Sequence, residues 1–446
     1  MQVSFHTSIP SIYNSSTTPS HLPWNTYNYC NAPHINAGHY VLPNASTATL
    51  VFVAMVMRHH KRTPDNLYPS EHTLNPSSGW NCSDIPTYAY AAGTAHIFTE
   101  TSVPPDHPFG GSVWAGTCRA GQVTSGGLQD AVKHGQDFWG VYHNRLAFVE
   151  RVCEEEIFVR TSGELRTQVV AGAMLYGMDP NTAKTSWRVH TQPANIDSLV
   201  PAYACPAAGE LRSAAESTPA WKEHLVQYEP LQRRLDNTLG TGRLVDWHSW
   251  YDHFFDSFTA RTCHLHPLPC NATGGCVTQE DAADVFTIGD WEYNYLFNSA
   301  PQAREYVRLT YGVFFAELAH TFRRVLASGS DMGSEIAHTQ HKIHMYVGHD
   351  GSMVRLASGL GLGGVNGLRW PAMGSEIVIE VWHTSEDLPF VRVLYEGSPV
   401  HPPLDWMPLD QFVRLLEGLV PEDLKDACMQ PEKWVEKNDI HNRGTA

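Results

Sequence analysis

Thr49–Pro64 reads TLVFVAMVMRHHKRTP, and it carries two signals side by side. From Thr49 to Met57 the side chains are apolar almost without a break and rich in β-branched residues. A run of that length without alternation suits a central strand buried on both faces, as in a parallel sheet. At its C-terminal end the chain turns abruptly basic, with Arg58, His59, His60, Lys61 and Arg62 in succession. Basic side chains that close together repel one another, so an anion is expected beside them. The carboxyl end of a strand in an open α/β sheet is where such ligands bind.

The rest of the chain makes this cluster a local exception. Its 446 residues include 30 basic and 46 acidic side chains, a formal net charge of −16. That balance argues against a nucleic-acid partner or a polybasic membrane contact. The longest apolar run, Leu50–Met57, is far too short to cross a membrane. The expected partner is a small molecule; the oligomeric state is left open.

Nine cysteines include no C-x-x-C pair, which disfavours a zinc ribbon or a thioredoxin-type motif. Cys270 and Cys276 bracket NATGG and read as a small looped disulfide. The odd count leaves at least one thiol unpaired, and buried reduced thiols are the plain alternative. N-x-S/T sequons at Asn14, Asn44, Asn81 and Asn271 make these four asparagines glycosylation candidates. Together with the cysteines they point to a secreted or secretory-pathway protein. The N-terminal residues carry neither a basic n-region nor an apolar h-region, so the expectation includes a signal segment already removed.

Residues 1–44, rich in Ser, Thr, Pro and Asn, read as an irregular arm. Residues 45–180 and 330–446 read as the two parts of an α/β domain with a central, mostly parallel sheet flanked by helices. Residues 181–329 read as a mostly α-helical insertion. A long loop is expected from Thr63 to Thr117. A helix follows from Val123, with Leu128, Val132, Trp139 and Tyr142 on one face. Ile157–Arg160 reads as a short strand running into a helix, with Thr161 and Glu164 fitting a capping box. Pro301–Ala327 is a long amphipathic helix, KIHMYVGHD a strand, EIVIEVW and FVRVLYEG a hairpin, and Leu409–Leu419 a last helix.

Three strand ends or helix starts carry charge: Arg58, His59 and Arg62; Arg166; and His349 with Asp350. A phosphate monoester needs what these supply. Arginines give planar, permanently charged donors, and a helix N-terminus adds backbone N–H groups. An unprotonated imidazole is a competent nucleophile, and neighbouring guanidiniums keep it unprotonated. A carboxylic acid can protonate the departing alcohol.

At these residues the chain resembles the histidine acid phosphatases. RHHKRTP at Arg58–Pro64 is similar to the family's R-H-G-x-R-x-P segment, and His349–Asp350 to its HD dipeptide. RTSGELRT resembles the segment bearing its third phosphate-binding arginine, here Arg166, and GQVTSGG at Gly121–Gly127 resembles G-Q-L-T-x-x-G. The landmarks fall in the family's order between Leu50 and Gly397. The first of them resembles the fungal and animal branch more than typical phytases. The resemblance implies that His59 is phosphorylated, that Arg58, Arg62, Arg166 and His349 hold the phosphoryl group, and that Asp350 protonates the leaving oxygen, with no metal or cofactor. It also implies an α/β domain with a helical insertion. Two departures stand out: His60 occupies the usual glycine position, followed by Lys61, and GSMV follows the HD pair where Thr or Asn is frequent. His60 and Lys61 are therefore possible substrate contacts as well as structural fill.

Each feature has a plainer reading. Arg58 and Arg62 suit a solvated basic turn, Arg166 a surface pair, and His349–Asp350 a polar turn; their joint occurrence in order disfavours coincidence. His338, His341 and His344 read as a chance cluster among 25 histidines rather than a metal site. Trp114, Trp139 and Trp382 read as core or pocket wall. The expected function is hydrolysis of small phosphomonoesters such as sugar, inositol or aryl phosphates. A phosphoglycerate-mutase-like phosphotransferase is the rival enzyme, disfavoured by the HD pair. A catalytically silent phosphate-binding glycoprotein, its pocket blocked by His60, is the rival of another class.

Overall fold

A computed structural model describes residues 29–430 apart from 44–46, 69–79, 84–85, 90–95, 99, 103, 105–106, 109–115, 185, 330–340 and 365–366. Asn14, Asn44, Trp114 and His338 lie outside the described residues.

The apolar run forms β1 (Thr49–Arg58), at the centre of the main sheet. A small hairpin, β2 (Pro86–Ala89) with β3 (His96–Phe98), stands apart from it. That hairpin interrupts the segment expected to be one long loop. The other sheet strands are β4 (Ile157–Thr161), β5 (Ile343–Gly348), β6 (Glu376–His383) and β7 (Pro389–Tyr395), with short β8 (Ser398–Pro399) and β9 (Met407–Pro408). Their order is β4-β5-β1-β6-β7-β8, with β9 also on β7. β4, β5 and β1 pair in parallel, while β6 runs against both β1 and β7. Four of the five long strands therefore share one direction, and β6–β7 is the expected hairpin.

Alternation along β1 sorts its side chains onto two cores. Phe52, Ala54 and Val56 enter one, and Val53, Met55 and Met57 the other. Such side chains contribute roughly 1.5–3 kcal/mol each on full burial. The second core lies under α1 (Ser125–Trp139) and α2 (Leu165–Met178). Here two expectations change. The buried face of α1 is Gly127, Ala131, His134, Gly135 and Phe138, and Leu128, Val132 and Trp139 are only half-buried. The reason is a close helix crossing: a Cβ on Gly135 would lie 2.1 Å from the Met174 carbonyl oxygen, and one on Gly177 2.0 Å from that of Val132. The inward face is built from small residues that a search for large apolar side chains passes over. The Thr161–Glu164 capping box is absent too. Thr161 is still in β4, Glu164 is the N-cap, and the Ser162 hydroxyl accepts the Glu164 N–H at 3.3 Å.

Between Pro206 and Gly329 the chain is helical: α3 (Pro206–Glu216), α4 (Pro219–Gln227), α5 (Glu229–Leu239), α6 (Asp246–Ser249), α7 (Asp252–Cys263), α8 (Gln279–Asn294) and α9 (Ala303–Gly329). The buried side of α9, with Val307, Tyr311, Phe314, Leu318 and Phe322, joins the first core. The chain then adds α10 (Asp350–Gly359), α11 (Leu409–Gly418) and α12 (Leu424–Met429).

Disulfides join Cys30–Cys263, Cys82–Cys118, Cys205–Cys428 and the expected Cys270–Cys276; Cys153 is free. Four bridges indicate an oxidising compartment. Among the described residues no helix is long and apolar enough to cross a membrane.

Candidate active site

The parallel register brings three strand ends level. Met57 pairs with Val347 and Arg58 with Gly348 across β1–β5, and Thr161 pairs with Val347 across β4–β5. His59, His349–Asp350 and the start of α2 thus emerge along one edge of the sheet. A pocket of about 150 Å³ at that edge is lined by His59, Arg62, Arg166, His349 and Asp350. Asp65, Asn66, Asp252, Asp256, Tyr293 and Trp370 complete it. The helical region, through α7 and α8, supplies Asp252, Asp256 and Tyr293.

His59 is 1% exposed. Its Nδ1 lies 2.9 Å from the carbonyl oxygen of His60. A carbonyl only accepts, so Nδ1 carries the proton and Nε2 keeps its lone pair. Burial holds the imidazole well below its ordinary pKa, and Arg62, Arg166, Arg58 and His349 push it the same way. His59 is therefore a neutral base even in acid. His349 packs edge-on to it, ring centroids 5.4 Å apart, and its Nε2 meets the Ser162 hydroxyl at 2.8 Å. Burial, then Arg166, brings His349 down to about 3.

The guanidiniums are held by carboxylates. Arg58 reaches Asp350 Oδ2 at 2.8 Å and also donates to the Pro371 carbonyl. Arg62 meets Asp65 at 2.7 Å and Asp256 at 3.0 Å. Arg166 meets the other Asp65 oxygen at 2.8 Å. Asp65 therefore bridges two arginines, and its own N–H is held by Asp256 at 2.7 Å. Gly121 lies against this bridge with φ +68°, where a Cβ would stand 2.0 Å from Asp65 Oδ1 and 2.5 Å from Arg166 Nη1. Only glycine fits both that conformation and that approach, which gives the Gly121–Gly127 segment a structural reason.

Asp350 opens α10, and its side chain is 22% exposed, enough to meet a leaving group. Burial would raise its pKa, but Arg58, Arg62, His349 and the Gly351 amide outweigh burial and hold it at about 2. Trp370 donates its indole N–H to Asp350 Oδ2 at 3.0 Å and is sandwiched between Phe255 and Tyr293, at 4.0 and 4.1 Å. Asp65, Asp256, Tyr293 and Trp370 were not found in the sequence. Asp65 alone had a local signal there, three residues after Arg62.

His60 and Lys61, the possible substrate contacts, lie inside the protein and do not line the pocket. Lys61 is paired with buried Asp130 at 2.9 Å, and His60 faces His134 of α1. His341 and His344 line a separate cleft of about 690 Å³ with Phe158, Arg160 and His190. No group of three or more His, Cys, Asp or Glu side chains among the described residues could hold a metal. Trp382 is core, and Trp139 stacks on His143.

Comparison with known proteins finds relatives over most of the chain. Counting factor 60 of Dictyostelium discoideum is 25% identical over 420 residues, covering 90% of this chain and 92% of its own. Lysosomal acid phosphatase of Bos taurus is 24% identical over 409 residues, covering 87% of this chain and 82% of its own. The apo phytase of Hafnia alvei shares the fold, with a TM-score of 0.55 at 16% identity over 87% of this chain and 99% of that one. The model of the histidine phosphatase superfamily (branch 2) matches residues 49–396, and the chain belongs to that family.

Proposed function

We propose that the protein hydrolyses small phosphate monoesters through a phosphohistidine at His59. One observation carries the reading: a neutral imidazole, its Nε2 free to attack, shares a pocket with two guanidiniums, His349 and a carboxyl group. Arg62, Arg166 and His349, which line the pocket, hold the phosphoryl oxygens, joined by Arg58, which is buried against Asp350 and does not itself line the pocket. Nε2 attacks phosphorus, the ester P–O bond breaks, and the alcohol leaves with a proton from Asp350. Water then attacks the phosphohistidine, its proton passes through Asp350 to the departing phosphate, and neutral His59 and ionised Asp350 are restored. Acid phosphatases among the relatives support hydrolysis of phosphate esters.

The pKa of Asp350 decides how the proton arrives. A group held at about 2 is ionised throughout the acid range. The proton it donates therefore comes with the substrate, as the ester monoanion, and passes to Asp350 when the phosphoryl charge settles beside it. The second pKa of a phosphate monoester is about 6. We expect kcat/KM for an alkyl ester, such as a sugar phosphate, to be level between about pH 4 and 6 and to fall about tenfold per unit above that. A panel of aryl, sugar and inositol monophosphates and phytate across this range is the deciding test. Activity that rises from pH 6 to 8, or none on any ester, overturns the reading.

Charge at the rim favours small esters. Besides its two arginines the pocket presents Asp65, Asp252 and Asp256, and among the described residues no lysine lines it. Further phosphates on a polyphosphorylated ring would meet carboxylates. Asp65 also competes with the substrate for Arg62 and Arg166. Asp65→Asn is expected to lower KM for phosphate esters about fivefold, the worth of ~1 kcal/mol of like-charge repulsion, with a larger gain for phytate. Inhibition constants for inorganic phosphate give the same comparison without turnover; an unchanged constant removes Asp65 from this role.

We also assign the protein to the secretory pathway, with glycans at Asn81 and Asn271. Asn81 is exposed and Asn271 partly exposed, each on a turn where its side-chain oxygen accepts backbone N–H groups.

A further inference from the structure

Behind the pocket lies a chain of buried polar groups that the reaction above does not use. The Nε2 of His60 is 3.3 Å from Nδ1 of His134, and the Nε2 of His134 is 2.9 Å from Glu376 Oε2. All three side chains are fully buried. The other Glu376 oxygen accepts the Ile35 N–H at 2.6 Å. His34 stacks on His134 at 4.0 Å between ring centroids and meets Asp137 at 3.0 Å. His60 is packed against Gly374, where a Cβ would stand 2.7 Å from its Nδ1, and the Gly374 N–H donates to the His59 carbonyl at 3.1 Å. Buried polar groups cost free energy unless they are paired, so a three-membered chain in the core is held for what it positions.

What it positions is the residue beside it. The His60 side chain is fixed by His134, while the His60 carbonyl is the acceptor that fixes the tautomer of His59. The loop from Arg58 to Arg62 leaves the sheet here, so no ladder hydrogen bond holds that carbonyl. We propose that His60, His134 and Glu376 form a positioning relay that anchors the His60 peptide, so that its carbonyl holds the nucleophile's Nε2 toward phosphorus. The inference rests on His59 being the nucleophile.

One proton arrangement joins the three members, and it leaves His60 Nδ1 as the buried group without a hydrogen-bond partner. Glu376 faces His34 and His134, Asp137 of α1 and the Tyr142 hydroxyl, and burial raises its pKa to about 7. In acid it is therefore a carboxylic acid that donates to His134 Nε2. His134 Nδ1–H then donates to His60 Nε2, and none of the three relay members carries a charge. The histidine of the relay takes the family's glycine position without entering the pocket.

The test compares variants that keep and break the chain. In His134→Ala and Glu376→Ala, kcat for an aryl phosphate is expected to fall about tenfold to a hundredfold, the cost of a misplaced nucleophile, with KM unchanged. His134→Asn keeps a donor toward His60, and Glu376→Gln keeps one toward His134. Both are expected to stay within about threefold of wild type. Wild-type kcat in His134→Ala overturns the relay. So does an equal loss in the conservative and alanine variants, which marks packing alone. If His134→Ala does not fold, the Glu376→Gln and Glu376→Ala pair reads the same split. A wild-type enzyme that forms no phosphohistidine removes the catalytic reading first; phosphorylation with an unchanged kcat in His134→Ala removes only the relay.

Discussion

His59→Ala is expected to lower kcat by at least about four orders of magnitude, because no other side chain can take the nucleophile's place. His349 is the nearest alternative imidazole, but its Nε2 is tied to the Ser162 hydroxyl. The variant keeps Arg58, Arg62 and Arg166 with their carboxylate partners, so phosphate esters should still bind. Removing a buried neutral ring leaves no unpaired charge; the one orphaned group is the His60 carbonyl, worth about 1–3 kcal/mol. The comparison therefore needs a folded, phosphate-binding variant with no turnover. Wild-type protein quenched during hydrolysis should carry acid-labile, alkali-stable phosphate, and His59→Ala none. A variant that keeps more than about a tenth of wild-type kcat would show that phosphorus is attacked by something else, with water the first candidate.

How far the site was legible depends on how far periodicity reached. Along β1 the alternation of Phe52, Ala54 and Val56 against Val53, Met55 and Met57 is a sequence property, and the two cores follow it. It stops at Arg58, where the chain leaves the sheet. No pattern then says which way His60 and Lys61 point, and both turn into the protein. The arginines were visible as a cluster, and Asp350 with them, but Asp65 and Asp256, the carboxylates that hold Arg62 and Arg166, were not. Asp256 and Tyr293 come from helices nearly two hundred residues or more along the chain, and only the packing of α7 and α8 over the strand ends brings them to Arg62 and Asp350. The α1–α2 crossing was hidden for another reason. It depends on Gly135 and Gly177, whose contribution is the absence of a side chain. Glu376, like Glu380, is a carboxyl group in a strand of mostly apolar residues, EIVIEVW, and that mismatch is the one sequence sign of the relay.

Asp350→Asn should divide substrates by their leaving groups. For an alkyl phosphate, such as a sugar phosphate, the oxygen departs as a strong base and needs a proton in the transition state. Losing the acid should cost about 10²–10⁴ in kcat. A nitrophenolate leaves without help, and its loss should stay within about tenfold. Binding should not suffer in parallel. Asp350 is the partner of Arg58 at 2.8 Å; with asparagine there, Arg58 has one fewer anion to satisfy and more attraction to spare for the phosphoryl oxygens, so KM should hold or fall. The Trp370 indole can still donate to the asparagine carbonyl, which keeps the side chain in place. The pH profile adds a sign. In the wild type the alkyl ester benefits from acid because its monoanion brings the proton that Asp350 relays. Asparagine cannot accept and return a proton, so in the variant the fall in kcat/KM above pH 6 should flatten for the alkyl ester and change little for the nitrophenyl ester. An equal loss on both esters would mean that Asp350 serves the attack on phosphorus, by orienting Arg58, rather than the departure of the alcohol.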